Sequence, residues 1–392
     1  MKNHRTKTIL THAGRDPRSN YGIVNPPVYH ASTILFPDIE SMEESAKRPF
    51  DGYRYGRSGT PTTTAFEQAV TALEGGHRSV AVSSGLAAIT VAIGAFVRAG
   101  DHLLVPDSAY PPTKAYCDKV LGRYGVETTY YDPEIGAGIG DLIASNTRMI
   151  VLESPGSQTF EVQDVPAISA TARDRGVVTM IDNTWATPLF FRPFDHGVDL
   201  SVHAATKYMV GHADAMMGVI CTNSEEHFRA VKTECYLLGH SAGPDDLYLA
   251  QRGLRSMAAR LAQHQTSALQ IAQWLETRPE VAQVLYPALP SHPGHELWKR
   301  DFHGASGLMS IVLKPVDAAA VARMIDEMDL FSIGFSWGGY ESLIVPQNPE
   351  SHRRTVPWTA EGPLIRLHIG LEDVDDLIED LEGGFTRLKA AP

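Results

Sequence analysis

Two residues in this sequence have types and positions suited to chemistry on an amine. Lys207 lies in Ser201-Val-His-Ala-Ala-Thr-Lys-Tyr-Met-Val-Gly211, just after a short apolar stretch and just before a glycine turn. Upstream, Val177-Val-Thr-Met-Ile-Asp182-Asn-Thr-Trp185 ends an apolar run on a carboxylate. An amine able to form a Schiff base and an anion able to pair with a pyridinium nitrogen are the two protein groups that pyridoxal phosphate needs. Residue type alone makes such a lysine a solvated loop residue, so the neighbouring motifs decide between the two readings.

Several motifs supply the remaining parts. Ser83-Ser84-Gly85-Leu86 joins a strand pattern to an apolar helix, so free amides and the helix dipole converge on a plausible phosphate cradle. Asp107-Ser-Ala-Tyr110-Pro-Pro112 offers an aromatic ring on a stiff loop, on which a flat cofactor ring could stack, although a tyrosine that merely fixes a loop reads the same way. Gly52-Tyr-Arg-Tyr55-Gly-Arg57 combines hydroxyls with guanidinium groups whose fixed donors match phosphate oxygens. Arg366 lies inside the apolar run Pro363-Leu-Ile-Arg-Leu-His-Ile-Gly370, where an unpaired charge is costly. Its partner is either a structural acid or the carboxylate of an amino-acid substrate.

Two further patterns imitate other sites. Gly334-Phe-Ser336-Trp-Gly338 matches a nucleophile elbow, but the residues after it are a poor start for the buried helix that an elbow requires. Gly136-Ala-Gly138-Ile-Gly140 lacks dinucleotide spacing and reads as a turn. His203, His212, His292 and His295 do not assemble a metal set, so no metal is expected.

The elements that must position these groups follow from periodicity. Short apolar runs at 79–82, 103–106, 149–152, 177–181 and 200–203 alternate with helical patterns, which predicts an α/β domain with a mostly parallel sheet. Asp182 and Lys207 then fall at or just beyond carboxyl ends of strands, where such domains build their sites. From Leu254 the apolar residues keep helical phase through Leu275, and runs at 307–313 and 364–369 read as strands of a smaller sheet. The expected organisation is an arm over 1–59, a large domain over 60–253 and a small domain over 254–392. The last helix is expected to open at Glu372 and Asp373 and to weaken at Gly383-Gly384.

Whole-chain properties narrow the partners. A net charge of -12 over 392 residues disfavours a nucleic-acid surface. The uncharged stretch 79–97 is long enough to mimic a membrane span, but its Ser-Ser-Gly interruption favours strand, turn and helix. Cys117, Cys221 and Cys235 are odd in number and far apart, and no secretory pattern is visible at the start, so reduced thiols in a cytoplasmic protein are expected.

Taken together, Tyr53-Arg-Tyr-Gly-Arg57, Leu152-Glu-Ser-Pro-Gly156, Met180-Ile-Asp-Asn-Thr-Trp185, Ala205-Thr-Lys-Tyr-Met-Val-Gly-His212, Phe335-Ser-Trp-Gly-Gly-Tyr-Glu-Ser342 and Ile365-Arg-Leu-His-Ile-Gly-Leu-Glu-Asp373 resemble the Cys/Met-metabolism family of pyridoxal-phosphate enzymes over nearly the whole chain. The resemblance implies the fold type I architecture of aspartate aminotransferase, with Lys207 holding the cofactor, Asp182 pairing with its ring nitrogen and Tyr110 stacking on the ring. It places Ser84, Gly85, Leu86 and Thr206 around the phosphate, joined by Tyr55 and Arg57 from a neighbouring subunit of a homo-oligomer, at least a dimer and expected as a tetramer. It places Ser336, Trp337 and Arg366 at the substrate carboxylate.

The implied reaction is β-elimination on a sulfur-bearing L-amino acid, cystathionine first, with Lys207 moving the α-proton. The alternatives are γ-elimination or γ-replacement on the same scaffold, cysteine desulfhydration, or a cofactor-binding regulator without turnover. Phe335 stands where β-lyases of this family are expected to carry tyrosine, which bears on substrate preference.

Overall fold

The computed structural model describes residues 4–390. β1 (Arg78–Val82), β2 (His102–Pro106), β3 (Glu127–Tyr131), β4 (Thr147–Glu153), β5 (Val178–Asp182), β6 (Leu200–His203) and β7 (Gly218–Thr222) form one sheet in the order β1-β7-β6-β5-β4-β2-β3. β6, β5, β4, β2 and β3 pair in parallel, while β7 runs antiparallel to both β1 and β6. Consequently β1 points the same way as the parallel strands, and their carboxyl ends share one edge.

Alternation along the strands divides the core. Val80, Val82, Leu103, Val105, Met180 and Val202 pack with the helices Gly85–Gly94 and Glu225–Leu237, whereas Ala81, Leu104, Ile150, Leu152 and Ile181 face the other layer. Both faces are covered, as a parallel sheet requires. β3 and β7 escape the sequence pattern for opposite reasons: β3 is a Thr- and Tyr-containing edge strand, and β7 inserts between two strands far from it in sequence. The stretch 79–97 is β1, a turn and a helix, and among the described residues no helix is long and apolar enough to cross a membrane.

The helix Pro244–Glu276 has 33 residues and so spans about 50 Å. It begins ahead of the periodic stretch at Leu254, because Pro244 and two acids suit a helix start whatever the apolar phase. The boundary expected at residue 253 therefore lies inside it, and one apolar cluster continues from Phe66 and Val70 through Leu254 and Leu261 to Ile311, Ile365 and Phe385. β8 (Val281–Leu285), β9 (Leu308–Leu313), β10 (Leu343–Gln347) and β11 (Leu364–His368) form an antiparallel sheet in the order β10-β11-β9-β8.

The closing helix, Val374–Lys389, is capped by Asp373, whereas Glu372 accepts from the Ser342 amide at 2.7 Å and its hydroxyl at 2.9 Å. Gly383 and Gly384 do not end this helix. A Cβ on Gly384 would lie 2.5 Å from Met328 Cε, so the glycine admits the neighbouring Met324–Met328 segment instead of breaking the helix.

At the other end of the chain, Arg255 of the long helix donates to the carbonyls of Leu10 and Ala13, at 2.5 and 2.8 Å, and so fastens the helix Thr6–His12. The arm beyond it is largely exposed, including Tyr21, Leu35 and Ile39.

Candidate active site

The expected lysine and aspartate meet at the carboxyl edge of the large sheet. Asp182 is the last residue of β5, and Thr184 links it to the lysine segment: its hydroxyl donates to Asp182 Oδ1 and accepts from the Ala204 amide at 2.9 Å. The Thr184 amide donates to the same carboxylate oxygen at 3.0 Å. Lys207 follows in a turn closed by its own amide to Ala204 O at 3.0 Å and by Gly211 N to Lys207 O at 2.7 Å. Thr184 was not singled out from sequence, though an Asp-x-Thr spacing after a strand is a recognisable side-chain turn.

Both groups are half-buried, and partial loss of solvent dominates their electrostatics. Burial, followed by repulsion from Arg366, lowers the Lys207 amine to about 8 against the attraction of Asp182. Burial pushes the Asp182 carboxyl up, opposed by the Thr184 hydrogen bonds and by His203 and Lys207. An amine that loses its proton near neutrality can act as nucleophile and base.

The small domain supplies the other wall. Lys207 Nζ donates to Ser336 Oγ and lies 5.3 Å from the Trp337 ring centroid. Arg366, on β11, donates to the Ser336 carbonyl at 3.1 Å, and among the described residues no carboxylate lies within 4 Å of it. Ser336 has φ 78°, and Gly338 brings its Cα so near the Lys207 backbone that a Cβ there would sit at 3.0 Å. Ser336 therefore stands in a loop before β10 and not at a strand-to-helix elbow, so the hydrolase pattern has no structural counterpart. Phe335 is 95% exposed.

The phosphate cradle is partly present within one chain. Ser84 caps the helix Gly85–Gly94 by accepting from Ala87 N at 3.1 Å, while the amides of Gly85 and Leu86 have no acceptor among the described residues. A Cβ on Gly85 would meet Ala204 at 2.4 Å, so this turn abuts the segment leading to Lys207. Thr206 Oγ1 accepts from Met217 N at 3.0 Å and donates to Met217 O at 3.2 Å. Tyr110 is partly exposed, and its amide donates to Glu153 Oε2 at 2.7 Å. Tyr55 and Arg57 are not drawn to Lys207. Arg57 donates to Tyr236 O at 2.8 Å and stacks over the Tyr236 ring at 4.3 Å.

The donor set fits pyridoxal phosphate: a deprotonatable lysine, a carboxylate for a ring nitrogen, an aromatic face, and unpaired helix amides for a phosphate. The Cys/Met metabolism PLP-dependent enzyme family matches residues 7–386. Cystathionine beta-lyase MetC of Escherichia coli strain K12 is 44% identical over 99% of this chain and 100% of its own length. An L-alanine/L-glutamate racemase of Wolbachia pipientis wMel is 42% identical over 97% of each chain. Among solved structures, cystathionine gamma synthase from Xanthomonas oryzae pv. oryzae in complex with cystathionine superposes with a TM-score of 0.90 at 31% identity, over 98% of this chain and 99% of that one. With the matched length and the Lys207 and Asp182 geometry in agreement, this chain belongs to the Cys/Met metabolism PLP-dependent enzymes.

Proposed function

We propose that the protein is a carbon–sulfur lyase that cleaves L-cystathionine at Cβ, releasing homocysteine, pyruvate and ammonia. The observation that carries the reading is Arg366: a half-buried guanidinium with no carboxylate partner among the described residues, near enough to the Lys207 amine to repel its charge, is a site for the carboxylate of an amino acid. The beta-lyase name of the E. coli relative favours elimination at Cβ over the gamma synthase named for the Xanthomonas structure, which is less similar in sequence.

Pyridoxal phosphate, when bound, delocalises the negative charge that remains at Cα after proton loss. Asp182 holds the proton of the ring nitrogen, and Tyr110 offers its face to the ring. Arg366 fixes the substrate carboxylate, which sets the Cα–H bond toward Lys207. The Lys207 amine takes that proton, and as an ammonium it protonates the departing sulfur. Ser336 Oγ, the acceptor of Lys207 Nζ, steers the amine between the two positions. Ser84, Gly85, Leu86 and Thr206 hold the phosphate side, and Trp337 lines the pocket beside the amine.

The sites are shared between subunits of a homo-oligomer, a tetramer built from dimers. The arm exposes Tyr21, Ile23, Val24, Leu35 and Ile39, an apolar surface of the kind that a second copy covers, and Tyr55 and Arg57 lie on this arm, away from the amine of their own chain. The arm over 1–59 thus serves the neighbouring site, 60–253 forms the cofactor domain and 254–392 the small domain. The free, buried cysteines suit a cytoplasmic setting. Mixing Arg57→Ala and Lys207→Ala subunits should restore part of the activity, since hybrid dimers carry one intact site; full exchange without recovery refutes the sharing.

One incubation tests the reaction. Cystathionine should yield homocysteine and pyruvate. Cysteine with 2-oxobutyrate as the main products, or inert cystathionine alongside racemised L-alanine, overturns the reading.

A further inference from the structure

A second carboxyl stands beside Asp182. Glu153 closes β4, Asp182 closes β5, and the two residues are register partners in a parallel pair. Glu153 Oε2 accepts from the Tyr110 amide at 2.7 Å, and its own amide donates to Gln163 Oε1 at 2.9 Å. No cation lies within 4 Å of it among the described residues. The surrounding charged and titratable groups are Asp182 on β5, Glu161 in the segment after β4, Tyr110 in the loop after β2 and Lys114 in the next helix. Lys114 is committed to Asp107, and Glu161 to Arg353.

We infer that Glu153 is a positioning residue that remains a neutral carboxylic acid, anchoring the amide of Tyr110 while leaving Asp182 the only anion at these strand ends. Two adjoining, partly buried carboxyls share one negative charge, and the one with more hydrogen-bond donors takes it. Asp182 has two hydrogen bonds from Thr184 and the attraction of Lys207, whereas Glu153 has one backbone amide. Burial, and then the Asp182 charge, push the Glu153 carboxyl well above its ordinary value, against the Tyr110 hydrogen bond. An ionised Glu153 would raise the proton affinity of the adjoining Asp182, so that Asp182 would draw toward itself the proton that the ring nitrogen should keep. An uncharged Glu153 leaves that proton on the ring and still fixes the loop that carries the stacking tyrosine. The inference rests on Asp182 as the anion of the cofactor site and not on any substrate.

Glu153→Gln and Glu153→Ala, purified as holoenzyme, test it without substrate. Infrared difference spectra should show a protonated carboxyl band in the wild type that disappears in Glu153→Gln; a wild-type spectrum without it overturns the inference. An acid whose folded pKa lies above its unfolded value loses stability as pH rises from the unfolded toward the folded value. Glu153→Gln avoids that loss, so its melting point should rise above wild type increasingly from about pH 4.5 upward and then level off. A gap independent of pH is the contrary result. Cofactor should bind Glu153→Gln within about threefold of wild type, and Glu153→Ala about tenfold more weakly, because only glutamine keeps an acceptor for the Tyr110 amide. Equal affinity of the two variants removes the positioning role. If the alanine variant does not fold, the glutamine measurements decide alone.

Discussion

Lys114 is buried and Lys207 half-buried, yet one is a structural bolt and the other a reagent. Lys114, 2% exposed, donates to Asp107 Oδ1 at 2.6 Å, to Asp107 O at 3.0 Å and to His352 O, so all three of its protons have acceptors. Asp107 in turn accepts from the amides of Arg354, Thr355 and Val356 at 2.7–3.0 Å. Burial pushes its carboxyl up, but the Lys114 hydrogen bond and these amides bring it below its ordinary value. Lys207 has one hydroxyl acceptor, a guanidinium for a neighbour and a carboxylate out of ion-pair range. Burial lowers the Lys114 amine as well, but the Asp107 hydrogen bond and charge oppose it, whereas at Lys207 the charge of Arg366 adds to the depression and only the attraction of Asp182 opposes it.

The sharpest way to break this contrast is to remove each lysine. Lys207→Ala should lower turnover by at least about 10⁴-fold without loss of stability. Lys114→Met should leave Asp107 buried without its cation and cost about 3–5 kcal/mol in denaturant unfolding, with a much smaller loss of turnover per folded molecule. Matched stability losses for the two variants would erase the distinction.

A finer test uses pH. The cofactor aldehyde adds to an unprotonated amine, so apoenzyme should take up pyridoxal phosphate faster as pH rises, with a midpoint at about 8 and not at the ordinary lysine value of 10.5. Arg366→Gln removes a like charge and should move the midpoint upward. An unmoved midpoint assigns the whole depression to burial.

The parts of this site that were legible in the sequence are the ones carried by strand ends. Asp182 sits where an apolar run stops and Lys207 in the turn just after one, and that signal survives without knowledge of the fold. Glu153 carried the same signal at the end of β4, but its meaning depends on β4 lying beside β5 in register. The Ser336 and Arg366 wall was legible only as motifs, since its approach to Lys207 depends on a close backbone contact at Gly338. The Asp107 and Lys114 latch could not be read from sequence, because the pair is completed by the His352 carbonyl and the Arg354, Thr355 and Val356 amides from a distant segment. Strand β7 was hidden by insertion between sequence-distant neighbours, and the start of the long helix by its polar first turns.

That latch also has a consequence for biosynthesis. Asp107 and the Arg354 amide that it binds are separated by 247 residues, so at ordinary ribosomal speeds the acid emerges about 10–50 s before its partner. Through that interval Asp107 and Lys114 have each other but lack their remaining partners, beside the loop that bears Tyr110. Water must keep them solvated, and the nascent domain stays open on this side. Closure waits for residues 352–356, so a chain that stops before them lacks the His352 carbonyl and the Arg354, Thr355 and Val356 amides that complete this pair beside the Tyr110 loop.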